Sequence, residues 1–380
     1  MRLGDKRSVY SMNRNIFVAV ALLLSHAAPS FAEDIVLGQS VALTGPAQEL
    51  GKEMQLGAKT YFDRVNAAGG VRGKKIVLRT LDDGYEPARS AANTQKFVDD
   101  GDVLALFGYV GTPTSAASLP IASNAKIPFF GAFTGAELLR TPINRYVFNV
   151  RASYFDETEA IVRQLTQSGV TKFAVFHQND SYGQAGLAGV ERALTKRQLQ
   201  VVAKATVERN STDVAAAVAA MLAAKPEVII MVSAYSSCAE FIKQIKAKDL
   251  PTRFVNVSFV GTKPLAKALG ADADGVMISQ VMPPPTANKF PVVVEYQKAL
   301  KAAGVSDFSY TSLEGYIAAK VMVEALQRGG DASREALVKA LESLRNVDVG
   351  GFNVSFAPAN HNASTFVELT VLNKKGEVRY

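Results

Sequence analysis

"VLALFGYVGTPTSAASLP", residues 103–120, frames the whole chain. Val103 to Phe107 form an apolar run short enough for a strand buried on both faces. Gly108 and Gly111 then turn the backbone, and Thr112, Thr114, Ser115 and Ser118 load the helix that follows with hydroxyls. A strand that turns straight into a helix leaves backbone N–H groups unpaired at the helix start, and such groups attract anions.

The same strand-to-helix rhythm extends in both directions. Upstream, "DIVLGQSVAL" (34–43) and "KKIVLRTLDD" (74–83) read as strands, separated by an amphipathic helix that Gly69 and Gly70 close. Downstream, "IPFFGAF" (127–133) reads as a strand. A second series runs from "DETEAIVRQLTQSG" (156–169) through the strands "KFAVFHQ", "LQVVAKATV", "EVIIMVSA", "RFVNVSF" and "GVMISQV", with helices between the earlier ones. This alternation predicts an α/β protein with parallel sheets. It is too long for one sheet and changes register at 144–157, at the proline-rich 280–291 and at 349–364. Three crossings between two lobes predict a hinge with a ligand cleft at it. The expected lobes are 33–151 plus 282–350, and 152–281 plus 351–380.

The first 32 residues read differently. Arg2, Lys6, Arg7 and Arg14 precede the apolar "IFVAVALLL", and "SFA" ends in small residues, the pattern of a secretory leader cut after Ala32. Met12 is an alternative start, because "MNRN" alone supplies a basic region. Removing the leader leaves 38 of the 42 lysines and arginines against 34 of the 35 acidic residues, a net charge near +4. No basic block remains, so nucleic acid is not an expected partner. Cys238 is the only cysteine, which excludes an intramolecular disulfide.

Enzyme readings find no footing. There is no G-x-S-x-G elbow, no phosphate-binding G-x-x-x-x-G-K-[ST] loop and no H-E-x-x-H. Two histidines outside the leader, His177 and His361, with one cysteine make a transition-metal site improbable. His177 reads as a strand-end structural residue and Cys238 as a buried bystander. No cofactor is expected.

From "DIVLGQSVALTGPAQELGKEMQLGA" onward the chain resembles the periplasmic solute-binding proteins of ABC importers, most closely the leucine/isoleucine/valine-binding type. The resemblance rests on "LTGP" (43–46), "NAAGGVRGKKI" (66–76), "PFFGAFTGAELL" (128–139) and "DSYGQAG" (180–186), in that order and spacing. It implies two Rossmann-like lobes, a ligand clamped at the hinge, an ABC permease as partner, a monomer and a periplasmic location. It also implies that the opening turn holds the carboxylate of a small ligand. Thr112 and Thr114, with Ala132 and Thr134, would do so from the first lobe, with helix capping as the competing role for the first two. Tyr182 and Tyr235 would contribute from the second lobe, and Tyr109 and Tyr85 would cover the ligand.

One departure from the family stands out. Where amino-acid binders place an acid for the ligand's ammonium, after "FVNVSF", this chain has Ser258. Either Asp180 supplies that charge, or the ligand is an aromatic or aliphatic acid without an ammonium. Asp180 also reads as an ordinary helix cap. The functional output read here is delivery to a permease, with sensing for a membrane receptor as the alternative.

Overall fold

A computed structural model describes residues 34–379, so the leader expected at 1–32 lies outside the described residues. The first half of the chain alternates β1 (Ile35–Val41), α1 (Gln48–Ala67), β2 (Ile76–Asp82), α2 (Pro87–Asp100), β3 (Val103–Phe107), α3 (Thr112–Asn124), β4 (Phe129–Phe130) and β5 (Val147–Phe148). The strands form one parallel sheet in the order β2-β1-β3-β4-β5.

A second series begins with α4 (Tyr154–Gln167), β6 (Phe173–Gln178), α5 (Ser181–Thr195), β7 (Val201–Val207), α6 (Ala215–Ala224), β8 (Val228–Val232) and α7 (Tyr235–Lys246). It continues through β9 (Arg253–Asn256), α8 (Thr262–Leu269) and β10 (Met277–Gln280). The chain then returns with α9 (Pro291–Ala302), α10 (Tyr310–Arg328) and α11 (Arg334–Glu342), which pack with α1 against the first sheet. After the short hairpin β11 (Val347–Asp348) and β12 (Asn353–Val354), the chain ends in β13 (Glu368–Leu372) and β14 (Val378–Arg379). The second sheet runs β14-β13-β10-β9-β8-β6-β7, parallel except for the last hairpin, which adds antiparallel to β10.

The molecule is therefore α/β with two parallel-sheet lobes. Strands β3, β6 and β8 are buried along their whole length, as the unbroken apolar runs of β3 and β8 require when helices cover both faces. Three differences from the sequence reading have local causes. The strand expected over 127–133 shrinks to Phe129–Phe130, because Gly131 takes a left-handed turn. Helices α8 and α11 were not anticipated; α8 begins behind Gly261 and carries Pro264 in its first turn. The third passage between sheets also comes later than residue 350. Asn362 bridges Asn149 beside β5, and Phe356 packs on Phe130 and Phe148, so 353–363 still belongs with the first sheet.

In each sheet one strand has its sequence successor on one side and a later strand on the other: β1 lies between β2 and β3, and β6 between β7 and β8. Such switch points open a crevice at the carboxyl ends of the strands, where open α/β sheets bind ligands. Helices α3 and α5, which start at those ends, touch each other. The two crevices face one another.

Candidate ligand-binding site

The first-lobe wall is the opening turn. Helix α3 starts with Gly111 at its N-cap and Pro113 in the first turn, and no side chain caps its free N–H groups. Thr112 therefore does not cap. Its buried hydroxyl meets that of Thr134 at 2.6 Å, and Thr134 also lies 3.3 Å from the Tyr154 hydroxyl. Thr114 turns back instead, donating to the carbonyl of Val110 at 2.5 Å, so its proton is already engaged. Ala132 sends its side chain into the outer cluster with Phe97 and Leu139, which leaves only its backbone near the turn.

Tyr109 is a correction. Regular alternation would put it on the face of Phe107, toward α1. Gly108 sits in the left-handed region, with φ 61°, and breaks the alternation. Tyr109 consequently packs on Phe129 in the outer cluster and bonds Thr94 at 3.0 Å, away from the cleft. Tyr85 does face the cleft. It is buried, holds a left-handed backbone (φ 64°), and receives a 3.3 Å bond from Gln178 of the other lobe. A bulky residue held in that region is a costly conformation of the kind found at ligand clamps.

On the second lobe, Tyr182 is fully buried at the start of α5, packed on Phe259 (4.6 Å) and Tyr154 (5.5 Å). Its hydroxyl has no partner. Gly183 makes this placement possible, since a Cβ there would fall 1.8 Å from the Gln178 carbonyl oxygen. His177, on the strand below, bonds that same carbonyl at 3.0 Å and is structural. Tyr235 sits half-buried where the lobes meet, in contact with the backbone of Glu49 on α1.

Asp180 is the second correction. It caps α5 through the N–H of Tyr182 (2.9 Å), accepts from Gln178 (2.6 Å) and pairs with Arg209 (3.3 Å). A carboxylate so fully engaged offers little to a ligand ammonium.

The site's centre of charge went unread in the sequence. Arg151, in the first passage between the lobes, is completely buried, with its guanidinium 4.6 Å over the Phe133 ring. It lies 3.7 Å from Glu157 in the first turn of α4 and 3.6 Å from Glu314 in the second turn of α10, and it donates to Ser258. Glu157 in turn accepts from the Ser258 backbone (2.8 Å) and hydroxyl (2.9 Å) and from Ser279 (2.5 Å). The position where the family expects an acid thus holds a serine that receives Glu157 from a different helix. The signal was a lone arginine in the apolar stretch "YVFNVRASYF".

Burial opposes the Arg151 charge, but Glu314 and Glu157 outweigh it and hold its pKa above the ordinary value. One cation cannot balance two buried carboxylates. Burial raises the pKa of Glu157, opposed by Arg151 and by the donors from Ser279 and Ser258. Burial pushes Glu314 up to about 7, with Arg151 opposing and Glu157 reinforcing the shift. Between the ordinary carboxylate range and pH 7, folded Glu314 therefore keeps a proton that the unfolded chain has lost, and stability falls as pH rises through that window. Glu314→Gln is expected to flatten this slope and raise stability at pH 8 by about 2–3 kcal/mol. Urea midpoints at pH 5 to 8 check it, and an unchanged slope would remove Glu314 as its source.

Two sets of polar contacts close the rim. Arg209 binds Glu86 at 2.8 Å, and Asn210 reaches Glu86 at 2.7 Å and the Gly84 carbonyl at 3.1 Å, all from the second lobe to the first. Near the hinge, Lys263 pairs with Glu53 and Asp307 (2.7 and 2.9 Å). A groove of about 680 Å³ lined by Lys263, Lys267, Asp307 and Lys375 opens outside this rim and shares none of the interior tyrosines.

Two parallel-sheet lobes, opposed switch points and a buried polar centre at the passages between them define a two-lobed ligand clamp. The chain belongs to the periplasmic binding protein family, whose model matches residues 34–377. It is similar to a possible leucine/isoleucine/valine-binding protein from Rhodopirellula baltica SH 1, with 37% identity and a TM-score of 0.89 over 93% of this chain and 98% of that one. A substrate-binding periplasmic protein from Ralstonia solanacearum is 32% identical, with a TM-score of 0.86 over 91% and 99%. The Leu/Ile/Val-binding protein homolog 7 of Brucella suis is 27% identical over 369 residues, covering 91% of each chain.

Proposed function

We propose that the chain is a non-enzymatic periplasmic binding protein that clamps a small carboxylate between its lobes and delivers it, as a monomer, to an ABC permease. The observation that carries this reading is the uncapped start of α3, with the buried Thr112–Thr134 hydroxyl pair beside it, opposite the start of α5. Free N–H groups and hydroxyls at a helix start suit a carboxylate without a full positive charge. The aromatic rings of Tyr85, Phe133, Tyr154, Tyr182 and Phe259 suit an apolar body behind it. The names of the relatives favour an amino acid or a close analogue as cargo, and the leader read at 1–32 favours export.

Ligand should shut the clamp by rigid rotation about the passages between the lobes. Small-angle scattering is expected to show a smaller radius of gyration once a carboxylate found by thermal shift is saturating. An identical profile with and without bound ligand would sink the clamp reading.

A further inference from the structure

The interior of the clamp holds more hydrogen-bond donors than it can use. Arg151 leaves Nε and Nη1 without a hydrogen-bond partner, and the Tyr182 hydroxyl has none, although both side chains are completely buried. A chain of ring contacts joins these groups. The guanidinium lies over Phe133, Phe133 packs on Phe259 at 5.4 Å, Phe259 packs on Tyr182, and Arg151 acts electrostatically on the phenols of Tyr154 and Tyr182. Buried donors are almost always satisfied in folded proteins, so a set of orphans at a ligand site points to an acceptor brought by the ligand.

Two of the three carboxylates nearby already accept several hydrogen bonds, and the third faces Arg151. Glu157 receives Ser258 twice and Ser279 once, and it sits beside Arg151. Asp180 receives Tyr182 N–H, Gln178 and Arg209. Glu314 lies 3.6 Å from Arg151 Nε. An ammonium would bring three more donors and a second positive charge beside the guanidinium, and it would have to compete with Arg151 for Glu314. A ligand with an oxygen in that place satisfies the orphans instead.

Resting on the carboxylate-clamp reading above, we propose that the cargo is a small carboxylate without an ammonium that presents an oxygen acceptor to Arg151 and Tyr182. A 2-oxo acid with an apolar side chain is the simplest such molecule.

Calorimetry on the leaderless protein with matched pairs tests this: 4-methyl-2-oxopentanoate against L-leucine, and phenylpyruvate against L-phenylalanine. The oxo acid of at least one pair is expected to bind about 100-fold or more tightly than its amino counterpart. Equal or tighter binding of the amino acid in both pairs overturns the proposal while leaving the carboxylate clamp intact. If no member of either pair binds, the carboxylate reading falls and this proposal with it. Tyr182→Phe supplies a second readout that does not endanger folding, because the hydroxyl it removes bonds nothing in the protein. The variant should melt at or above the parent's temperature yet bind the oxo acid about 10-fold or more weakly. Unchanged oxo-acid affinity in that variant overturns the assignment of Tyr182 and Arg151 as the acceptor's partners.

Discussion

Arg151→Met is expected to lower the free energy of unfolding by about 3–5 kcal/mol at pH 8, since it strands buried carboxylates without their cation. The loss should shrink toward pH 5, where Glu314, raised to about 7, is protonated and needs no positive partner. Adding Glu157→Gln and Glu314→Gln to Arg151→Met should recover much of the stability, because a neutral interior no longer needs the charge. Urea denaturation across pH measures all of this. A single-variant loss below about 1 kcal/mol would mean that water reaches the cluster and that its burial is not maintained in solution. The result bears on function as well as folding. Arg151 leads into α4, Ser279 precedes the return passage and Glu314 follows it, so the charge cluster joins segments that any opening of the lobes must flex.

The second large effect is on binding. Thr112→Val and Thr134→Val should each weaken carboxylate binding roughly 10- to 150-fold, the worth of one hydrogen bond to a charged group, about 1.5–3 kcal/mol. Stability should drop by only about 1 kcal/mol in Thr112→Val, whose lost partner is one hydroxyl, and by more in Thr134→Val, which also loses the Tyr154 hydroxyl and the Ala136 N–H. Thr114→Val provides the contrast. Its hydroxyl is engaged with the Val110 carbonyl inside the turn, so its affinity should stay within a few-fold of the parent's. Calorimetry on the three variants separates ligand contact from local structure. Wild-type affinity in both Thr112→Val and Thr134→Val would place the carboxylate elsewhere.

Much of the fold was legible because the runs at 103–107, 173–178 and 228–232 carry their burial in their composition, and the glycine-rich breaks mark where strands end. The uncapped start of α3 was legible for the same reason: helix starts after buried strands are where free N–H groups must lie. Tyr109 defeated this reasoning through one residue, since Gly108 reverses the facing of everything after it. Asp180 could be read as a cap or as a free charge, and only the fold shows Arg209, 29 residues away, holding it. The Arg151 cluster was least accessible, because Glu157, Ser258, Ser279 and Glu314 come from four separate elements and none forms a motif with its sequence neighbours. Charge balance in an interior is a property of the assembled chain.

The rim bonds from Arg209 and Asn210 to Glu86, and from Lys263 to Glu53, join protein on both sides, and neither glutamate belongs to the aromatic interior. They favour the shut clamp by the same amount whatever lies inside it, including nothing. They therefore set the fraction of empty molecules already closed, and with it one common factor in the affinity for every cargo. Under the proposed clamp, discrimination between cargoes falls to the threonine pair, the aromatic rings and the guanidinium. On that reading the chain has two independent dials: rim residues would tune how long any passenger stays aboard before release, while interior residues would decide which passenger is taken. Substitutions at Glu86 or Glu53 should shorten residence for all ligands alike and leave their ranking untouched.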